Sequence, residues 1–455
     1  LKRRIHFLSA FLLACTTVSA PHAEVSLTIY QRDLVLVRDV RTVDLQRGEN
    51  TIVFDGVAPG IHQTTLRITP LQGASGVKTI EQNYEYDVVN EDRVWSKFLG
   101  KPFEFTKDDS LYKGALRNFD EDFIYLEPEG KPGSIALIGR SGIKDAVFDV
   151  IPEGLALRPQ IRWRASSDGA RSDVRVEISY LSKGLTWQAE YAAQLINNDR
   201  LRLEGNLTLS NSLDMDFQDA RIELMAGNPH RTGDARQLSD EEAFESGQAA
   251  AKETGEKFYE YRRYEVPGQT SLHASQTKGI PLIGPVDVAA QRSFFFDGSS
   301  GAEEVQVRLL FDNSKASGLG IALPEGNLLL YQADSDEQTH FLGEDQLQAS
   351  APGDKVELVM GRAFDLRVDR KRMDHQRIAR NRTLDTVEIT LSSSRDQASQ
   401  IVVRERLYGY WEIVEAKWGD QPISYRIEDA NRIEFDINLA SGAAQTLRYV
   451  VEYGY

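Results

Sequence analysis

From Glu24 onward apolar and polar residues alternate with a period of two, the mark of strands that bury one face. Val25, Leu27 and Ile29 set the phase, Leu34 and Leu36 repeat it, and Gly48-Glu49-Asn50 marks a turn before Ile52-Val53-Phe54. Sustained helical spacing is almost absent. The predicted class is all-β, built as several antiparallel β-sandwich units with a small SH3-like barrel and a C-terminal Ig-like sandwich.

Changes in run length divide the chain. Residues 24–95 form an N-terminal β unit. Residues 96–152 hold short runs at Phe103–Phe105, Gly114–Leu116, Phe123–Leu126 and Ile135–Ile138, separated by turn residues such as Asn118-Phe119-Asp120 and Gly130-Lys131-Pro132-Gly133. That spacing suits the small barrel. Residues 153–229 return to longer strands and make the first part of a sandwich. Residues 230–258 are polar, acidic and rich in Ala, Gly and Ser, a composition that cannot bury itself and predicts a flexible insertion. Residues 259–382 complete the sandwich, and 383–455 have the strand count of one Ig-like unit.

The first 23 residues follow another logic. Lys2, Arg3 and Arg4 precede an apolar stretch from Phe7 to Ala14, and small residues lead to Ala23. That is the layout of a secretory signal peptide, so the protein is expected to be exported, periplasmic or secreted. Leu13, bulky where a small residue normally stands, argues against the alternative of lipid anchoring through Cys15. Removal of residues 1–23 takes the formal net charge from -16 to -19 and removes the only cysteine. No disulfide framework or cysteine-based zinc site is then available. Strong acidity also disfavours nucleic acid, whose affinity comes mostly from cations that displace counterions. A mean hydropathy of -0.40 without a long apolar run predicts no transmembrane segment in the mature chain.

Several stretches together carry a family resemblance. Leu27-Thr28-Ile29-Tyr30 and Leu34-Val35-Leu36-Val37-Arg38-Asp39 open it. Ile178-Ser179-Tyr180-Leu181 with Gly184-Leu185-Thr186-Trp187-Gln188-Ala189-Glu190-Tyr191 is its most distinctive segment. Gly205-Asn206-Leu207-Thr208-Leu209, Ala226-Gly227-Asn228-Pro229, Leu323-Pro324-Glu325-Gly326, Phe341-Leu342-Gly343-Glu344-Asp345 and Gly361-Arg362-Ala363-Phe364-Asp365 continue it. In this order they resemble proteins carrying the domain of unknown function 4139, many of them mucoidy-inhibitor-like exported bacterial proteins. Longer members place a coiled coil where the small barrel is expected here. The resemblance supports fold and compartment and carries no reaction with it.

Candidate chemistry is sparse. Trp187, Ala189 and Tyr191 share a strand face and, with Trp163, read as core; Trp411 and Trp418 are better placed to be exposed, though packing is favoured there too. Asp214, Asp216 and Asp219, and Asp334, Asp336 and Glu337, are oxygen-rich loops without the order of an EF-hand, so they read as turns. His62, His230, His273, His340 and His375 are too far apart in sequence for a local zinc pair. Neither a catalytic residue nor a cofactor is assigned. The one unusual charge run is Arg367, Arg370, Lys371, Arg372, Arg377, Arg380 and Arg382, at the junction between the sandwich and the last unit. Arg370, Lys371, Arg372, Arg377 and Arg380 are the candidate partner-binding residues; Asp369 and Asp374 interrupt them, which favours a structural role paired to the protein's own acidic surface.

The expected function is that of an exported, non-catalytic, multi-domain β protein of the bacterial cell envelope that binds an envelope protein or an anionic glycan. An envelope hydrolase acting on glycan or peptide and a carbohydrate-binding protein are the alternatives. Partner and oligomeric state are left open.

Overall fold

The computed structural model describes residues 16–17, 24–71, 74–87, 91–148, 155–197, 199–227, 229, 257–258, 261–301 and 303–454. The expected signal peptide apart from Thr16 and Thr17, with Cys15 and nearly all of the acidic insertion, lies outside them. Strands dominate, and among the described residues the α-helix is the seven-residue Glu91–Lys97. Among the described residues no helix is long and apolar enough to cross a membrane. The chain divides into two compact units: 1–186 with 210–223 and 266–276, and 187–209 with 224–265 and 277–455.

Two sheets of the first unit contain strands whose burial alternates, Gln160–Ser167 in one and Glu24–Tyr30 in the other. In one, Gln160–Ser167 runs antiparallel between Gly48–Asp55 and Val77–Glu85. Its inward residues Ile161, Trp163 and Ala165 are fully buried, and Trp163 stacks on Phe54 with ring centroids 6.2 Å apart. In the other, Leu34–Leu45 pairs with Glu24–Tyr30 and with Arg171–Ser182, which also pairs Arg67–Pro70. The alternation read from Val25, Leu27 and Ile29 is the buried face of the first of these strands.

Residues 102–148 of the same unit form a five-stranded antiparallel sheet. Its order is Ala136–Gly139, Phe123–Pro128, Ser110–Phe119, Pro102–Lys107 and Ile143–Phe148. The two outer strands are not paired with each other, so the sheet is open where a closed barrel would join its edges. Helix Glu91–Lys97 packs on one face: Trp95 meets Phe103 edge-on at 5.5 Å, above Phe105, Leu116, Ile124 and Leu126. Glu91 and Asp92 in the first turn and Lys97 in the last suit the helix dipole. Asp108 and Asp109, at φ 49° and 60°, make the tight hairpin between Lys107 and Ser110.

The second unit is organised by two very long strands, Thr277–Asp297 and Lys355–Ala379. The C-terminal half of each belongs to a sandwich. One layer is Lys355–Ala379, Arg382–Ser393, Ala444–Gly454 and Tyr410–Trp418, all antiparallel. In the other layer Phe294–Asp297 runs parallel to residues 401–404, and Ser399–Arg406 pairs antiparallel with Arg432–Leu439. The core between them joins Val387, Ile389, Leu391, Ile401, Val403, Phe435, Tyr449 and Val451 to Phe294, Phe296, Val305, Leu366 and Val368. The run 383–455 thus supplies most of this sandwich, while residues before 383 complete both layers. Each layer would otherwise present an unpaired edge beside an apolar core.

A parallel pair elsewhere in this unit, Leu185–Leu195 with Gly326–Ala333, brings Gly326 directly opposite Ala189. A Cβ on Gly326 would lie 2.1 Å from the Ala189 carbonyl oxygen. Gly326→Ala should therefore force the strands apart and cost about 1–3 kcal/mol in urea unfolding. Wild-type stability in that variant would refute the register.

Candidate functional site

Residues 367–382 of the basic run lie on a hairpin of the sandwich: 367–379 are the end of strand Lys355–Ala379, and Arg380 and Asn381 form the turn. Glu304–Asp312 pairs with this strand only as far as Arg367. Beyond it, Val368–Ala379 is paired among the described residues on one side alone, to Arg382–Ser393. Residues 371–382 are all exposed.

The phase of the strand decides what each cation does. Leu366 and Val368 point into the core, and Arg370 follows on the same face. Its Nε and Nη2 donate to Glu405 Oε1 and Oε2 at 2.8 and 2.7 Å. The Tyr449 hydroxyl donates to Glu405 Oε2 at 2.7 Å. Glu405 is 1% exposed and occupies the inward phase of Ile401, Val403, Glu405 and Leu407. Gly298 makes room for it, since a Cβ there would sit 1.9 Å from Glu405 Oε1. The hydrogen bonds to Glu405 raise the Arg370 guanidinium beyond its already high range. Burial, and then the Glu405 charge, pushes the Tyr449 hydroxyl well above its ordinary value, so it remains a donor at neutral pH.

One step outward, Asp385 is 8% exposed. His375 Nδ1 lies 2.5 Å from its Oδ1, and Arg372 Nη1 lies 3.5 Å from its Oδ2. A bulge between Arg372 and Asp374 restores His375 to the Asp385 side of the strand. Lys371 binds Asp369, and Arg382 binds Glu452 at 2.8 Å.

The basic run therefore divides in two. Arg370, Lys371, Arg372 and Arg382 pair with the protein's own carboxylates. Among the described residues Arg367 and Arg380 have no carboxylate within ion-pair distance, and Arg377 donates to the carbonyls of Ala379 and Arg380 at 3.3 and 2.7 Å. Of the five sequence-derived candidates, Arg377 and Arg380 are open to a partner and Arg370 is committed to the core. Glu405 and Asp385 were not singled out from the sequence. The available signal was a carboxylate on the apolar phase of an alternating strand.

The other candidates are structural. Trp187 is 2% exposed beside Tyr264. Trp163 is fully buried in the first unit, so the two indoles fill different cores. Trp411 and Trp418 are half-buried against the sandwich core, and Trp411 Nε1 donates to the Ala430 carbonyl at 2.7 Å. Asp334 Oδ1 accepts from the backbone N–H groups of Asp336 and Gln338, and its Oδ2 lies 2.6 Å from His340 Nε2. These contacts, led by His340, hold its carboxyl below the usual range. Asp216 accepts from the Ala274 N–H. Asp334 spends its oxygens on its own turn, and Asp216 and Asp219 accept from the segment at Ser271 and Ala274.

Comparison with known proteins adds one finding. The sequence profile of the family described as a domain of unknown function, DUF4139, matches residues 176–455. No curated protein matches the chain.

Proposed function

The chain belongs to the DUF4139 family, and from that premise we propose that it is an exported, non-catalytic binding protein of the bacterial cell envelope whose partner docks along the open edge of strand Lys355–Ala379. The positive Lys2, Arg3 and Arg4 ahead of an apolar stretch support export. One observation supports the docking surface: among the described residues Val368–Ala379 pairs on one side only and is flanked by cations without carboxylate partners.

An unpaired edge exposes backbone N–H and C=O groups that another strand can take up. Arg377 and Arg380 at its outer end, with Arg367 at its start, disfavour pairing with a second copy of the same edge. They favour an acidic extended segment, by charge complementarity. Exposed Met373 and Ile378 add apolar contact. The occupant is thus an acidic strand of an envelope protein, added to the sheet.

The test uses the full chain and labelled extended peptides of alternating threonine with glutamate or with lysine, followed by fluorescence anisotropy. The glutamate peptide should bind, and binding should weaken as salt rises from about 0.05 to 0.5 M. Arg377→Glu with Arg380→Glu should lower its affinity about tenfold. Equal binding of both peptides, or no effect of the charge reversal, would remove the edge from consideration. Degradation of envelope polymer by the pure chain would favour a hydrolase instead.

A further inference from the structure

A second feature of the sandwich lies on the outer face of the layer containing Ser399–Arg406 and Arg432–Leu439. It is a cleft of about 310 Å³ whose lining includes Asp297, Ser299, Arg404, Arg406, Asp429 and Arg432. Arg406 and Arg432 are direct cross-strand partners. Like charges placed opposite each other weaken a sheet, so the arrangement calls for compensation.

Compensation is one-sided. Asp429 Oδ2 accepts from Arg432 Nε at 2.6 Å, and its Oδ1 accepts from the Asn431 N–H at 2.8 Å. Arg404 donates through Nε and Nη2 to Glu434 Oε1 at 2.9 and 2.6 Å and lies over the Phe295 ring at 4.7 Å. Arg406 has no carboxylate partner among the described residues; its guanidinium lies 5.6 Å from the centroid of the exposed Tyr408 ring.

At the opposite end Asp297 carries the complementary charge. Its Oδ1 accepts from Ser299 N and Oγ at 2.9 and 2.6 Å, while its Oδ2 has no donor among the described residues. Asp297 stands level with Arg404 in the parallel pairing, and Arg406 is two residues farther on, about 7 Å along the strand. No ion pair joins the two within 4 Å.

One cleft thus holds a cation without its anion and a carboxylate oxygen without its donor, too far apart to satisfy each other. We propose that it binds a small zwitterion of dipeptide size, with the ligand carboxylate on Arg406 and the ligand ammonium on Asp297. A guanidinium offers paired donors to a carboxylate, and a carboxylate accepts from an ammonium, so both ends of the ligand are recognised by charge-assisted hydrogen bonds. Arg404 and Arg432, already fixed by Glu434 and Asp429, shape the walls. An offset of about 7 Å along the strand suits charges spaced as in a dipeptide better than those of a single α-amino acid.

The test titrates glycylglycine into the full chain by calorimetry, with glycine, acetate and ethylamine as separate probes. Glycylglycine should bind more tightly than each of the other three. Arg406→Gln and Asp297→Asn should each weaken it about tenfold or more, and Arg406→Lys should recover part of the loss. Acetate binding as tightly as glycylglycine, or an unchanged affinity in Asp297→Asn, would overturn the zwitterion assignment. So would the absence of glycylglycine binding to the native chain, a result that does not depend on whether any variant folds. The strand edge takes no part in this experiment, so its outcome is independent of the docking proposal.

Discussion

Arg370→Met should destabilise the C-terminal sandwich by about 3 kcal/mol or more, although the residue sits in a run that reads as surface charge. Glu405 is 1% exposed and accepts two hydrogen bonds from Arg370 and one from Tyr449. Removing Arg370 leaves a carboxylate beside Val403 and Leu407 with one donor. The double variant Arg370→Met with Glu405→Leu should regain most of the loss, because exchanging a whole buried pair for apolar groups is often close to neutral. Urea unfolding of the single and double variants measures both effects. A neutral single variant would show that water reaches Glu405 freely. The pair is a device of the fold, so the same substitution tests stability and says nothing about partner binding.

Trp163→Ala should cost about 3–5 kcal/mol in the first unit, the range for truncating a fully buried indole. Trp163 is 0% exposed, stacks on Phe54, and donates from Nε1 to Thr79 Oγ1 at 3.0 Å. Truncation leaves a cavity and an unpaired threonine hydroxyl together. Trp411→Ala should cost less, because that ring is half-buried at the margin of its core. Calorimetric unfolding distinguishes the two. If Trp163→Ala left stability intact and abolished binding to a glycan instead, the indole would be a sugar platform, and the packing described here would be wrong.

Much of the first unit was legible along the chain. Val25, Leu27 and Ile29, or Ile161, Trp163 and Ala165, alternate because successive strand side chains point to opposite faces, and water selects which face is apolar. The same rule located Phe103, Phe105, Ile124 and Leu126, although the edges of that sheet stay apart where a barrel had been expected to close. Tyr449 and Val451 lie on the inward phase of Ala444–Gly454, which runs between Arg382–Ser393 and Tyr410–Trp418. The candidate site was legible only in part. A count of charges found the basic run, but no count separates Arg370, paired with Glu405 thirty-five residues away, from Arg380, which has no carboxylate beside it.

By itself, the sequence determined the all-β class, the strand phases, the family and the position of an unusual concentration of cations, because each depends on local periodicity or on ordered motifs. Tertiary structure alone decided that the concentration lies on an edge strand, that Glu405 and Asp385 consume part of it, and that Arg406 faces Arg432 across a cleft. Those outcomes depend on which distant strands become neighbours. Pairing is set by the burial of whole faces and the closure of sheet edges, and a local pattern specifies the face of a strand without specifying the strand beside it.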